Sequence, residues 1–293
     1  MENILEKIEN GSSHVENLRS KLIVPKKIQL HTGMEGFDSP KAYGIYRNTG
    51  GNALGIVGES FNPMNLSLFL DSVSASIANT DADLDVSKLE YHEYKKGSVI
   101  SFTVPLKKFE IPGSSMVGDV VETKLTFTTG FDGKTKTTLG YYTKRLWCTN
   151  GAANWDKAIN ISFKNTKNSQ GRVFMFCDQI IQTIDNVESY VEQLSKLTKK
   201  SITQKDIDKY YMRVFGIDRE KEEKLSTRTR NILDSINQSV AIEMQNTGDN
   251  MFSLLQGVTR YTSRKANFSE EKIRFTSLAN VNERAHRFAF EMN

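Results

Sequence analysis

The spacing of apolar and polar positions changes period once along the chain. Up to about residue 165 it is that of strands. Over 118–152 two β-rich runs flank a turn, with Val120, Thr123, Leu125, Phe127 and Thr129 in the first and Thr135, Thr137, Thr138, Leu139, Tyr141 and Tyr142 in the second. Branched and aromatic side chains suit a pleated surface. Val121, Thr123, Leu125 and Phe127 share one face of the first run, while Glu122, Lys124, Thr126 and Thr128 share the other, which predicts one apolar and one polar face. Phe131-Asp132-Gly133-Lys134 supplies the turn, because Asp-Gly tolerates the positive φ of a tight hairpin. Upstream, 43–47 and 53–58 read as a hairpin and 65–77 as helical. Leu89, Tyr91 and Tyr94 pair with 99–106 around Lys95-Lys96-Gly97. Downstream, a short helix is expected after Asn150 and a strand over 159–164.

From residue 173 the period lengthens. Phe176, Ile180, Ile184, Val187, Val191, Leu194 and Leu197 recur at intervals of three and four, the mark of a long amphipathic helix. Further helices are expected from about 202 to 216, over 227–245 with Ile232, Ile236, Val240 and Met244 on one stripe, over 250–263 and over 275–292. Residues 2–22 read as helical with a break at Gly11-Ser12-Ser13, followed by a connector over 25–40. Strands followed by helices predict an α+β fold: antiparallel hairpins and sheet in the first half, packed by long amphipathic helices of the second. The expected parts are a helical arm and connector over 1–40, a main α+β domain over 41–200, and a helical part over 201–293.

Composition narrows the chemistry. The 293 residues are 38% hydrophobic and 25% charged, as in globular proteins, with a net charge of +4. No run of about 18 apolar residues occurs, so no membrane span is expected. The first residues are rich in Glu and Lys without an apolar stretch, so no signal peptide is expected and the cytoplasm is the expected setting. Cys148 and Cys177 lie in no metal or redox spacing and read as reduced thiols. His14, His31, His92 and His286 are isolated in sequence. The glycines near residue 50 form neither a dinucleotide fingerprint nor a P-loop. Glu122-Thr123-Lys124 after Asp119 matches the D…E-x-K spacing of metal-dependent nucleases, but any polar strand face yields E-x-K by alternation. A non-enzymatic protein without cofactor or metal is expected.

Charge distribution is more informative than total charge. Between residues 118 and 175 there are nine Lys or Arg against four Asp or Glu, an excess of five that is larger than that of the whole chain. Lys134 and Lys136 flank the turn, Lys144 and Arg145 end its second strand, and Lys157, Lys164, Lys167 and Arg172 follow. Tyr141, Tyr142, Trp147 and Trp155 interleave with them. Cations for phosphates beside flat rings for bases are what single-stranded nucleic acid requires. Arg47, Lys134, Lys136, Lys144, Arg145, Trp147, Lys157, Lys164 and Arg172 are the candidate DNA-binding residues. The arginines are favoured because a guanidinium fork matches phosphate geometry.

Three stretches also carry a family resemblance. YRNTGGNALGIVGESFNPMN over 46–65 is similar to a pattern of an Arg, a turn, L-G-x-V-G, then an aromatic, x-P and an Asn. The F-D-G turn is followed by KRLWCTN over 144–150, similar to R-x-x-C-x-N. LLQGVTRYT over 254–262 is similar to N-A-x-T-x-Y, with Gln256-Gly257 in place of Asn-Ala. These resemble the phage/plasmid-like proteins grouped as domain of unknown function 932, over roughly residues 40 to 290. Hairpins followed by a long helix are similar to the fold of phage single-strand annealing proteins, which assemble as rings or filaments and hold DNA in a basic groove. The resemblance implies a homo-oligomer that binds single-stranded DNA in annealing, recombination or replication in a host cytoplasm. A non-enzymatic phage structural or host-interaction protein is the alternative, and a metal-dependent nuclease a third reading.

Overall fold

The computed structural model describes residues 2–31, 41–80, 84–110, 120–145, 161–218, 223, 225–264 and 277–292. The fold is α+β, with antiparallel strands in the first half and helices mainly in the second. The chain divides into two compact units. The first comprises Met1–Leu106, Lys124–Gly140 and Lys157–Asp185; the second comprises Lys107–Thr123, Tyr141–Asp156 and Asn186–Asn293. Among the described residues no helix is long and apolar enough to cross a membrane.

The first unit opens with α1 (Glu2–Lys21). The helix runs unbroken through Gly11-Ser12-Ser13, where a break is expected from sequence. Gly11 is buried, and a Cβ there would lie 3.7 Å from that of Val86. That is an ordinary contact distance against the 3-10 turn Val86–Lys88, so an alanine would fit and the helix carries Gly11 at its usual propensity cost. Leu18 is buried in the core of this unit, and Arg19 pairs with Asp71 of α2 (Leu66–Ala78) at 2.5 Å, so α1 covers its own domain. The expected connector begins as a strand, β1 (Pro25–Gln29). It joins β2 (Ala42–Arg47) and β3 (Gly55–Gly58) in an antiparallel sheet of order β1-β2-β3.

The second sheet runs β4 (Glu90–Tyr94), β5 (Val99–Glu110), β6 (Val120–Gly130), β7 (Thr137–Arg145), β8 (Ile161–Phe163), in that order. The β6–β7 pair is central to this sheet and is not a free-standing finger. Alternation predicts a polar face on β6, and it holds only over Val120–Lys124; from Leu125 to Gly130 every residue is buried. Two of the threonines are accommodated by pairing, Thr128 with Ser101 at 3.1 Å and Thr129 with Thr137 at 2.8 Å, whereas the buried Thr126 hydroxyl finds no partner among the described residues. Threonine supplies β-branching and a hydroxyl that satisfies itself across strands, so a polar-looking face can be covered. Phe69 of α2 meets Phe102 at 5.6 Å between ring centroids, within a core that also holds Val73, Leu125, Phe127 and Phe131.

After β8 come α3 (Ser169–Arg172), a 3-10 turn at Val173–Met175, and α4 (Phe176–Lys199), whose predicted stripe is buried at Ile180, Val187, Val191, Leu194 and Leu197. The second unit holds α5 (Gln204–Phe215), α6 (Thr227–Thr247), α7 (Met251–Arg264) and α8 (Ser277–Glu291). Thr203 and Asp206 close a capping box at the start of α5, and Gly216 ends it at φ 71°. Helix α7 is buried from Met251 to Thr262. Its Gly257 lies so close to Val240 of α6 that a Cβ would overlap it. The buried stripe of α6 is Leu233, Ile236, Val240, Glu243 and Thr247, rotated from the expected one. Glu243 is drawn inward by Arg260 of α7, at 3.1 Å.

Candidate nucleic-acid interface

The site is built around the loop between β6 and β7. It is longer than the tight turn expected from Asp-Gly, because β6 ends at Gly130 and β7 resumes at Thr137. Phe131 is fully buried and its N–H donates to Ser98 O at 2.7 Å, which takes it out of the β6–β7 ladder. Asp132 then organises the rest of the loop. Its Oδ1 accepts from the N–H groups of Lys134 (2.9 Å) and Thr135 (2.7 Å), and its Oδ2 from the Thr135 hydroxyl (2.8 Å). Gly133 takes φ 71°. Lys95 Nζ lies 3.5 Å from Oδ2. Burial, the largest influence on this carboxyl, opposes its charge. The Thr135 and Lys134 N–H groups, the Thr135 hydroxyl and Lys95 outweigh burial and hold Asp132 below the usual carboxylate range.

Two contacts fix the loop against its neighbours. Gly55 of β3 approaches so closely that a Cβ would overlap the Phe131 carbonyl oxygen. Asn165, after β8, is buried; its amide donates to Gly130 O at 2.8 Å and to the Thr129 hydroxyl at 3.2 Å, and its Oδ1 accepts from Thr137. The Asn62 N–H in turn donates to Asn165 O at 2.9 Å.

Together these elements enclose a cleft of about 380 Å³, lined by Ile56, Val57 and Gly58, by the loop from Asp132 to Lys136, and by Lys164 to Thr166. Lys134, Lys136 and Lys164 are all exposed, and none has an ion-pair partner among the described residues. Asp132, the carboxylate in the lining, is occupied within its own loop. Ser60, Phe61 and Thr166 are shared with a second cleft of about 500 Å³ that adds Lys27, Lys167 and Glu59. Lys27 is structurally engaged: its ammonium donates to Glu59 O (2.6 Å) and Phe61 O (2.7 Å) and lies 4.2 Å from the centre of the Tyr43 ring. Lys167 is exposed at the rim.

Of the residues proposed from sequence, three converge here: Lys134, Lys136 and Lys164. Arg47 does not. It is committed at the β4–β5 turn, where it donates to Glu93 at 2.6 Å and to Lys96 O at 3.3 Å. Arg172 is exposed on α3 and is not part of either cleft lining. Lys144 and Arg145 lie on the backbone of β7 with side chains outside the described residues, as do Trp147, Trp155 and Lys157 entirely. Tyr141 and Tyr142, expected as rings for bases, are buried, and Tyr141 packs against Tyr190 with ring centroids 6.0 Å apart. They are core residues because other elements cover the faces of β7 at this point, Tyr190 of α4 among them. Sequence reasoning missed the wall formed by β3 and Asn165, for which no local signal exists.

The nuclease spacing finds no support in the described part of its set. Lys124 is bound to Glu90 at 2.8 Å, and Asp119 lies outside the described residues. Among the described residues no group of three His, Cys, Asp or Glu could hold a metal ion.

No curated protein and no solved structure matches the chain. The family described as Domain of unknown function (DUF932) matches residues 88–287, a span that contains the lysine-bearing loop, β8 and α7 and begins after the stretch at 46–65; the chain belongs to that family.

Proposed function

We propose that the chain binds single-stranded DNA at the lysine-lined cleft, as a non-enzymatic step in annealing, recombination or replication. One observation carries the reading. Lys134, Lys136 and Lys164, not all neighbours in sequence, are set around one cleft whose lining carboxylate, Asp132, is already bound by its own loop and by Lys95. Three unpaired ammonium groups are a site for phosphates, and phosphate neutralisation lowers the repulsion between two strands about to pair. A cleft of about 380 Å³ engages only a few phosphates, so holding a strand calls for copies side by side, as a ring or filament.

The test is fluorescence anisotropy with a labelled oligothymidylate at several salt concentrations. Each phosphate contact contributes about 0.7 to the slope of log K against log salt. Replacing Lys134, Lys136 and Lys164 together by Ala is expected to lower that slope by about 2. Binding that is absent at low salt, or a slope unchanged in the triple variant, sinks the proposal. Mass photometry with and without the oligonucleotide tests the assembly.

A further inference from the structure

The β1-β2-β3 sheet has one face toward the core and one toward solvent, and the solvent face carries an apolar strip. Register defines it. Ile28 pairs with Gly44, and Gly44 with Ile56, so the three lie in one row on one face. Lys26 pairs with Tyr46 in the next row of the same face. The opposite face carries Ile45 and Val57, both buried. Ile28 is 50% exposed and Ile56 68% exposed. Between them the Tyr46 ring is laid across Gly44, so closely that a Cβ at Gly44 would overlap it. The result is a flat strip of isoleucine, tyrosine ring and isoleucine. Beside it a Cβ at Gly58 would meet nothing within 4 Å.

Exposed apolar rows on a sheet face call for a partner. Charge says which one. Ile56 belongs both to the strip and to the wall of the cleft that holds Lys134, Lys136 and Lys164, and exposed Lys26 stands beside Tyr46 on the strip's own face. Cations at both edges of an apolar strip match a chain that is apolar on its base faces and anionic along its backbone. In a duplex the base faces are covered by stacking; in a single strand they are available, and flat side chains on a sheet can receive them. We infer that the Ile28–Tyr46–Ile56 strip is a platform for the bases of the single strand whose phosphates the cleft lysines hold. This rests on the DNA-binding reading and extends it from phosphates to bases.

The experiment compares oligothymidylate with an abasic chain of equal length, both labelled, by anisotropy against the full protein. The wild type is expected to bind the thymidylate chain about tenfold more tightly than the abasic one, the scale of one stacked base. The double substitution Ile28→Ser/Tyr46→Ala, both outside the wall of the lysine cleft, is expected to abolish that preference, leaving abasic affinity and the salt slope unchanged. Tyr46→Ala alone serves if circular dichroism shows the double variant unfolded, and Tyr46→Phe should keep the preference. Equal binding of both chains with steep salt dependence overturns the platform and leaves the lysine cleft standing. Binding of neither chain overturns both. A double variant that keeps the base preference overturns the platform, and if its mass in light scattering also falls, the strip is a contact between copies of the chain.

Discussion

Asn165→Ala tests how the cleft is held. Three hydrogen bonds converge on this buried amide, from Thr137, to Thr129 and to the Gly130 carbonyl. Adding three bonds would overstate the loss, because Thr129 and Thr137 already lie 2.8 Å apart and keep each other as partners. The group that loses its side-chain donor is the Gly130 carbonyl, in a buried residue at the end of β6. An orphaned buried acceptor costs about 1–3 kcal/mol, so the expected destabilisation is about 2 kcal/mol. Asn165→Asp should be worse, since it removes both amide donors and buries a charge against the same carbonyl. The loss is local, so the suitable assay is native-state hydrogen exchange by mass spectrometry on peptides covering β6, β7 and β8. Protection there should fall by a factor of about 30, the equivalent of 2 kcal/mol, while helices α5–α8 are unchanged. Unchanged protection across β6–β8 would refute the assignment of Asn165 as the latch. A fall of equal size in Thr129→Val alone would refute the apportionment, because that variant leaves the Gly130 carbonyl satisfied.

Packing and charge give three further expected outcomes. Gly257→Ala should destabilise the helical unit by about 1–3 kcal/mol through overlap with Val240, and Val240→Ala should recover part of this in the double variant, as read from urea midpoints. Glu243→Ala should cost about 3–5 kcal/mol because it leaves Arg260 buried and charged, whereas Glu243→Leu with Arg260→Met should cost much less; thermal melts of the two variants decide. Asp132 is held below its ordinary range, so its contribution is complete above the unfolded value of about 4 and is lost as pH falls through the lower folded value. Asp132→Asn should therefore flatten the acid limb of stability against pH, and an identical limb in both proteins would contradict the hydrogen-bonded, Lys95-paired carboxylate.

The sequence alone determined the order of elements, because period two and period 3.6 are written in consecutive residues. β4 to β7, α4 and α5 all fall where alternation, helical spacing and the capping residues Thr203 and Gly216 put them. It also determined that lysines gather around 118–175, since charge is counted without knowing the fold. What the tertiary structure decided was the partner of each side chain. Thr126 and Thr128 look solvent-facing by alternation but are interior, because a strand's second face is buried only when other elements cover it. Tyr141 and Tyr142 lie inward for the same reason. Arg47 has the right chemistry for phosphate and is occupied by Glu93, forty-six residues away in sequence. Lys134, Lys136 and Lys164 meet around one cleft only because Gly55 admits the loop against β3 and Asn165 ties β8 to Gly130. Such contacts join distant parts of the chain and leave no periodic trace, so local pattern names the candidates while packing selects among them.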